Sequence, residues 1–139
     1  LQREDEASRR LAEIPGIGFL SASALAATVG DAKAFANGRQ LAAWLGLVSR
    51  QHSSGGKEIL MGISKRGDCY VRTLLIHGAR ALIQQAERRN EADNWLKRLL
   101  ARRSKNVTTV AVAAKNARIA WAILAHGRDY DSEYQPVAP

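Results

Sequence analysis

A chain of 139 residues is long enough to bury one hydrophobic core without disulfides or a structural metal, so a single domain is the default. A formal net charge of +8 and a pI near 10.3 favour a polyanionic partner, nucleic acid or an anionic membrane surface, over an acidic or neutral one. The single cysteine, Cys69, excludes an internal disulfide and a cysteine-based zinc site, suits a reducing cytoplasm, and reads as a small semi-buried thiol.

No uninterrupted apolar run approaches the roughly 18–20 residues of a membrane helix, and no signal pattern is visible. The chain opens at Leu1 without a methionine, which leaves room for a longer parent protein.

Residues 1–13 are rich in charge and helix formers and read as an exposed helix that Pro15 stops. The run Ile14-Pro15-Gly16-Ile17-Gly18 then joins it to a second helix ending at Gly30, a spacing that resembles the helix-hairpin-helix motif (residues 14–30) of DNA-binding proteins. Its glycines permit a tight turn, Ile14 and Ile17 would pin the two helices together, and the amides that open the second helix would face a phosphate. Gly16 and Gly18 are therefore candidate nucleic-acid contacts that read no base sequence. The plainer reading is an ordinary Pro-Gly helix turn.

Asp31–Asn37 reads as a short connection with Phe35 as a core anchor, and Gly38–Leu45 as a further helix, with Trp44 a core residue and not a base-stacking platform. Residues 47–67 form an irregular region with Gly55, Gly56 and Gly62 and a possible short strand near Ile59–Met61. In it, Gln51-His52-Ser53-Ser54-Gly55-Gly56-Lys57 and Ser64-Lys65-Arg66-Gly67-Asp68 bring hydroxyls, glycines and cations together, as a phosphate-handling loop does.

The long helix Asp68–Glu87 follows, with Asp68 as its expected N-cap. Its stripe is Val71, Leu74, Leu75, Gly78, Ala79, Leu82, Ile83 and Ala86, with Gly78 allowing close helix approach and Arg72, His77 and Arg80 elsewhere. Trp95–Arg103 reads as an amphipathic basic helix. Val107–Ala125 reads as a final helix with Val110, Ala114, Ala117, Trp121 and Leu124 inward, and 128–139 as a tail. The expected fold is all-α, with an N-terminal helix-hairpin-helix, a glycine-rich loop and three further helices. Between Ser64 and Arg118 there are 13 Lys or Arg against four Asp or Glu, spread over several helices, which fits nucleic acid better than a membrane.

The ordered set Ile14-Pro15-Gly16-Ile17-Gly18, Gly30-Asp31, Phe35, Gln40–Val48, Ser54-Gly55-Gly56-Lys57 and Ile63–Asp68 resembles the C-terminal domain of insertion-sequence-110 family transposases. Tyr70–Arg80 and Lys115-Asn116-Ala117-Arg118 resemble the 1111 subgroup. Ser49 departs from that pattern, which commonly has proline there.

The resemblance covers nearly the whole chain, with residues 1–127 as the transposase domain. It implies a two-part recombinase whose RuvC-like N-terminal nuclease domain, with an acidic Mg2+ site, lies outside this chain, while this domain binds no cofactor or metal of its own. The implied partners are DNA, a structured guide RNA, the nuclease domain and further copies of the protein, with no membrane, in the bacterial cytoplasm at the nucleoid.

In that family a serine hydroxyl attacks a DNA phosphodiester. Ser54, on Gly55 and Gly56, is preferred over Ser64, where the family pattern also accepts threonine; Ser53 ranks third. Lys57, Lys65, Arg66 and Arg72, with Gly55 and Gly56, would hold the phosphate and neutralise its developing charge. The alternative, from a different class, is a helix-hairpin-helix DNA- or RNA-binding module whose serines do no chemistry.

Overall fold

The computed structural model describes residues 2–48 and 65–131, with side chains described for 5–48 and 69–131. Among the described residues there are six α-helices and no strands: α1 (Gln2–Leu11), α2 (Phe19–Val29), α3 (Gly38–Trp44), α4 (Lys65–Arg89), α5 (Asn94–Arg102) and α6 (Lys105–His126). The expected all-α class holds. The possible strand at 59–61 lies outside the described residues.

Local chemistry sets most of the helix ends. The Asn37 side chain accepts from the Gln40 backbone amide at 2.9 Å, and the Gln40 side-chain Oε1 accepts in turn from the Ala36 amide at 2.6 Å, so α3 starts with a nearly reciprocal cap. Asp93 caps α5 through the Leu96 amide at 2.8 Å, and Ser104 caps α6 through the Val107 amide at 3.2 Å. α4 ends on Asn90, which has φ 54, with the Glu91 amide returning to the Ala86 carbonyl at 2.8 Å.

The start of α4 departs from the sequence expectation. The helix begins at Lys65, so Asp68 lies inside it and is not its N-cap. Lys65 and Arg66 are good helix formers, and their propensity outweighs the cost of about 1 kcal/mol for Gly67 within the helix.

α6 is the central element. It packs on α1, α3, α4 and α5 and on the 3₁₀ turn Ala32–Ala34, whose Ala32 carbonyl accepts from Trp121 Nε1 at 2.8 Å. Surrounded in this way, it buries residues on nearly every side: Val112, Ala113, Ala114, Ala117, Ile119, Ala120 and Ile123. The single inward stripe expected for this helix is therefore wrong in part, since Val110 is exposed and Trp121 and Leu124 are only half-buried. By length and composition α6 could cross a membrane; its burial beneath the other helices makes it the core of this fold.

Most of the expected α4 stripe is buried, namely Val71, Leu75, Ala79, Ile83 and Ala86, while Leu74, Gly78 and Leu82 at its margin are half-buried. Trp44 is buried edge-to-face against Phe35 at 5.6 Å between ring centres, a core pair. Cys69 is exposed, not semi-buried, because it sits in the first turns of α4 on the side away from the core.

Candidate nucleic-acid interface

The segment between α1 and α2 is built from the inside outward. Leu11, Ile14 and Ile17 are buried against Ala22 and Leu25, and short bonds from the Ile14 amide to Leu11 and from the Ile17 amide to Ile14 close the turn at 3.0 and 2.9 Å. Pro15 has no N–H to leave unpaired there. Gly16 has φ +95, a conformation that side chains with a Cβ rarely adopt.

Two distant residues hold this turn. Asn116 Nδ2, on α6, donates to the Pro15 carbonyl at 3.0 Å. Gly78, on α4, lies so close that a Cβ there would overlap the Gly16 carbonyl oxygen. Close approach at Gly78 was expected between helices; the partner is the turn.

Gly18 differs from both. Its φ of −87 suits any residue, and a Cβ built on it meets nothing within 4 Å, so nothing among the described residues requires glycine there. It opens α2 with no side-chain cap and no acidic residue in the first turn, and the next two residues, Phe19 and Leu20, are 78% and 60% exposed. The positive end of the α2 dipole thus faces solvent.

Arg72 marks a second place. Its guanidinium covers Gly46 at the end of α3, where a Cβ would stand 2.7 Å from Nη1, and Nη2 donates to Cys69 Sγ at 3.3 Å. Arg72 joins the stretch just before residues 49–64 to the helix just after them: Gly46 is in contact, and Lys65 is seven residues, roughly 10 Å, back along α4.

The candidate residues Ser54, Ser64, Gly55, Gly56 and Lys57, together with Ser53 and His52, lie outside the described residues, as do the side chains of Lys65 and Arg66. Arg72 is six residues from Gly78 and about 120° around α4, so the turn and the Arg72–Gly46 contact lie on different sides of this helix. His77 and Arg80 are exposed on the same helix. Among the described residues no group of three His, Cys, Asp or Glu side chains is placed to hold a metal ion.

Comparison with known proteins decides the family. A family model described as the transposase IS116/IS110/IS902 family matches residues 8–100. The chain belongs to this family. It is 56% identical over 129 residues to a Pseudomonas aeruginosa protein named "Probable family 20 transposase", covering 92% of this chain and 38% of that protein. It is 50% identical over 129 residues to the transposase for insertion sequence element IS1111A of Coxiella burnetii, covering 92% and 35%. It is 46% identical over 125 residues to the transposase for insertion sequence element IS1328 of Yersinia enterocolitica, covering 89% and 37%.

The chain thus spans well under half the length of these transposases. No solved structure matches it significantly.

Within this transposase-family domain, Asn116 went unassigned by sequence reasoning. A polar residue among Ala113, Ala114, Ala117 and Ala120 is a signal in itself, because a buried amide needs a partner.

Proposed function

We propose that this chain is the serine-bearing domain of a DNA transposase, gripping nucleic-acid phosphates at the Pro15–Leu20 turn and at the start of α4. The observation that carries the reading is the turn itself. Gly78 and Asn116 hold it from behind, so the uncapped first turn of α2 faces outward as a helix-hairpin-helix would present it. Exposed N–H groups at a positive dipole end favour an anion, and Gly18 lets a phosphate approach the backbone closely.

In the longer protein, Ser54 is the preferred nucleophile and Ser64 its competitor. The serine oxygen bonds to phosphorus as the P–O3′ bond breaks, leaving a 5′-phosphoserine and a free 3′-hydroxyl. That hydroxyl later attacks the phosphoserine, seals a new junction and regenerates the serine, so the phosphodiester is conserved without ATP. Lys57, Lys65, Arg66 and Arg72 offset the charge that builds on the phosphate. Arg72 suits this role, since its guanidinium covers Gly46 next to the loop and donates to the Cys69 thiol.

A RuvC-like nuclease domain would supply Mg2+ and help activate the serine, a structured RNA would select the DNA, and the protein would act as a homo-oligomer in the cytoplasm. The test is the protein–DNA adduct trapped on a nicked substrate by the full-length protein. Ser54→Ala should abolish adduct and strand exchange while DNA binding persists. An adduct that survives in Ser54→Ala and disappears in Ser64→Ala would reverse the assignment. Binding without any adduct in the parent would leave a non-catalytic DNA- or RNA-binding module.

A further inference from the structure

Two arginines that the turn does not use, Arg39 and Arg118, belong to α3 and α6 where these helices pack on each other. Gly38, the first residue of α3, packs backbone to backbone on Arg118: a Cβ there would stand 2.9 Å from Arg118 Cα, 3.0 Å from its carbonyl oxygen and 3.1 Å from its Cβ. Arg39, the next residue of α3, is exposed and Arg118 is half-buried, close enough for their charges to interact. Arg118 Nε is buried with no hydrogen-bond partner, and neither arginine forms an ion pair among the described residues. Burial first, and then the charge of Arg39, push Arg118 below its ordinary value.

Like charges held together, one of them partly desolvated and without a carboxylate, work against folding. An anion between them would reverse that sign, and the planar fork of arginine matches the oxygens of a phosphate. The position also separates this pair from the turn. Asn116 reaches toward Pro15, and two residues further on Arg118 leaves α6 about 200° around the helix.

We propose that Arg39 and Arg118 form a second phosphodiester-binding site, which takes a nucleic-acid backbone on the face of α6 opposite the Pro15–Leu20 turn. The site rests on the reading of this domain as a nucleic-acid binder and adds to it a second, separate segment of nucleic acid.

The test uses the 139-residue chain, its Arg39→Gln and Arg118→Met variants, and Arg88→Gln as an exposed control with the same charge change. Binding to a short DNA duplex and to an RNA hairpin is followed by fluorescence anisotropy over a salt series, alongside thermal unfolding. Arg39→Gln and Arg118→Met should each weaken binding to at least one probe by about tenfold and lower its salt slope by about one, with Arg88→Gln changing it by about twofold or less. The probe affected tells DNA from RNA.

Arg118→Met should also hold or raise Tm, because it removes the repulsion and keeps an apolar stem. If it lowers Tm, the exposed Arg39→Gln decides alone. A parent that binds while Arg39→Gln behaves like the control overturns this site and leaves the turn interface standing. A parent that binds neither probe overturns both.

Discussion

The side-chain amide of Asn116 donates to the carbonyl of Pro15 at 3.0 Å across a sequence separation of 101 residues. This bond ties the central helix to the turn proposed to meet phosphate, so α6 sets the posture of α1 and α2. Asn116→Ala would leave the Pro15 carbonyl without its donor and open space behind Gly16. We expect a loss of about 1–3 kcal/mol in urea unfolding, together with weaker nucleic-acid binding.

Gly78 and Gly18 should separate fold from function. Gly78→Ala places a Cβ against the Gly16 carbonyl, a backbone atom that cannot swing away, and should cost about 1–3 kcal/mol with a matching fall in Tm. Gly18→Ser meets open space and a backbone that suits an N-cap. It should stabilise α2 by a few tenths of a kcal/mol and at the same time weaken binding, because its hydroxyl takes up an amide that a phosphate would use. Tm and anisotropy measured on one preparation check both.

The caps of α5 and α6 carry no proposed contact with nucleic acid. Asp93→Ala and Ser104→Ala should each lower stability by about 1 kcal/mol and leave binding affinity unchanged. Loss of binding in either, at a temperature where the variant is folded, would place that end of α5 or α6 in the interface.

Tyr130 sits half-buried against the core, where burial first, then the charges of Asp131 and Asp93, raise its pKa above the ordinary value of 10.0. The folded chain then holds the phenol proton more tightly than the unfolded chain. Its contribution to stability is full below pH 10 and declines as pH rises through the raised value. Urea unfolding at pH 8 and pH 11 should show a smaller drop in Tyr130→Phe than in the parent.

Much of the fold was legible from local rules. The stripe from Val71 to Ala86 has a helical period, Gly30 and Gly127 follow the last residues of their helices, and Trp44 stood apart from any aromatic row. The misplacements have physical causes. Asp68 resembled a cap because aspartate prefers that position, but Lys65 and Arg66 extend the helix beyond it. Val110 matched the period of a surface helix, whereas α6 is wrapped by neighbours and its alanines allow close contact on several sides.

For the candidate site the division is similar. Gly16 and Gly18 were visible as a motif, but only the packing distinguishes a glycine needed by the fold from one the fold leaves free.

By itself the sequence determined the helical class, the order of the elements, the basic character and the family resemblance, since these depend on residue type and short spacing. Only the tertiary structure decided that Asn116 and Gly78 clamp the turn and that Gly38 packs on Arg118. Such relationships arise where helices far apart in sequence cross, and a crossing is set by how side-chain volumes fit together, which no local pattern encodes.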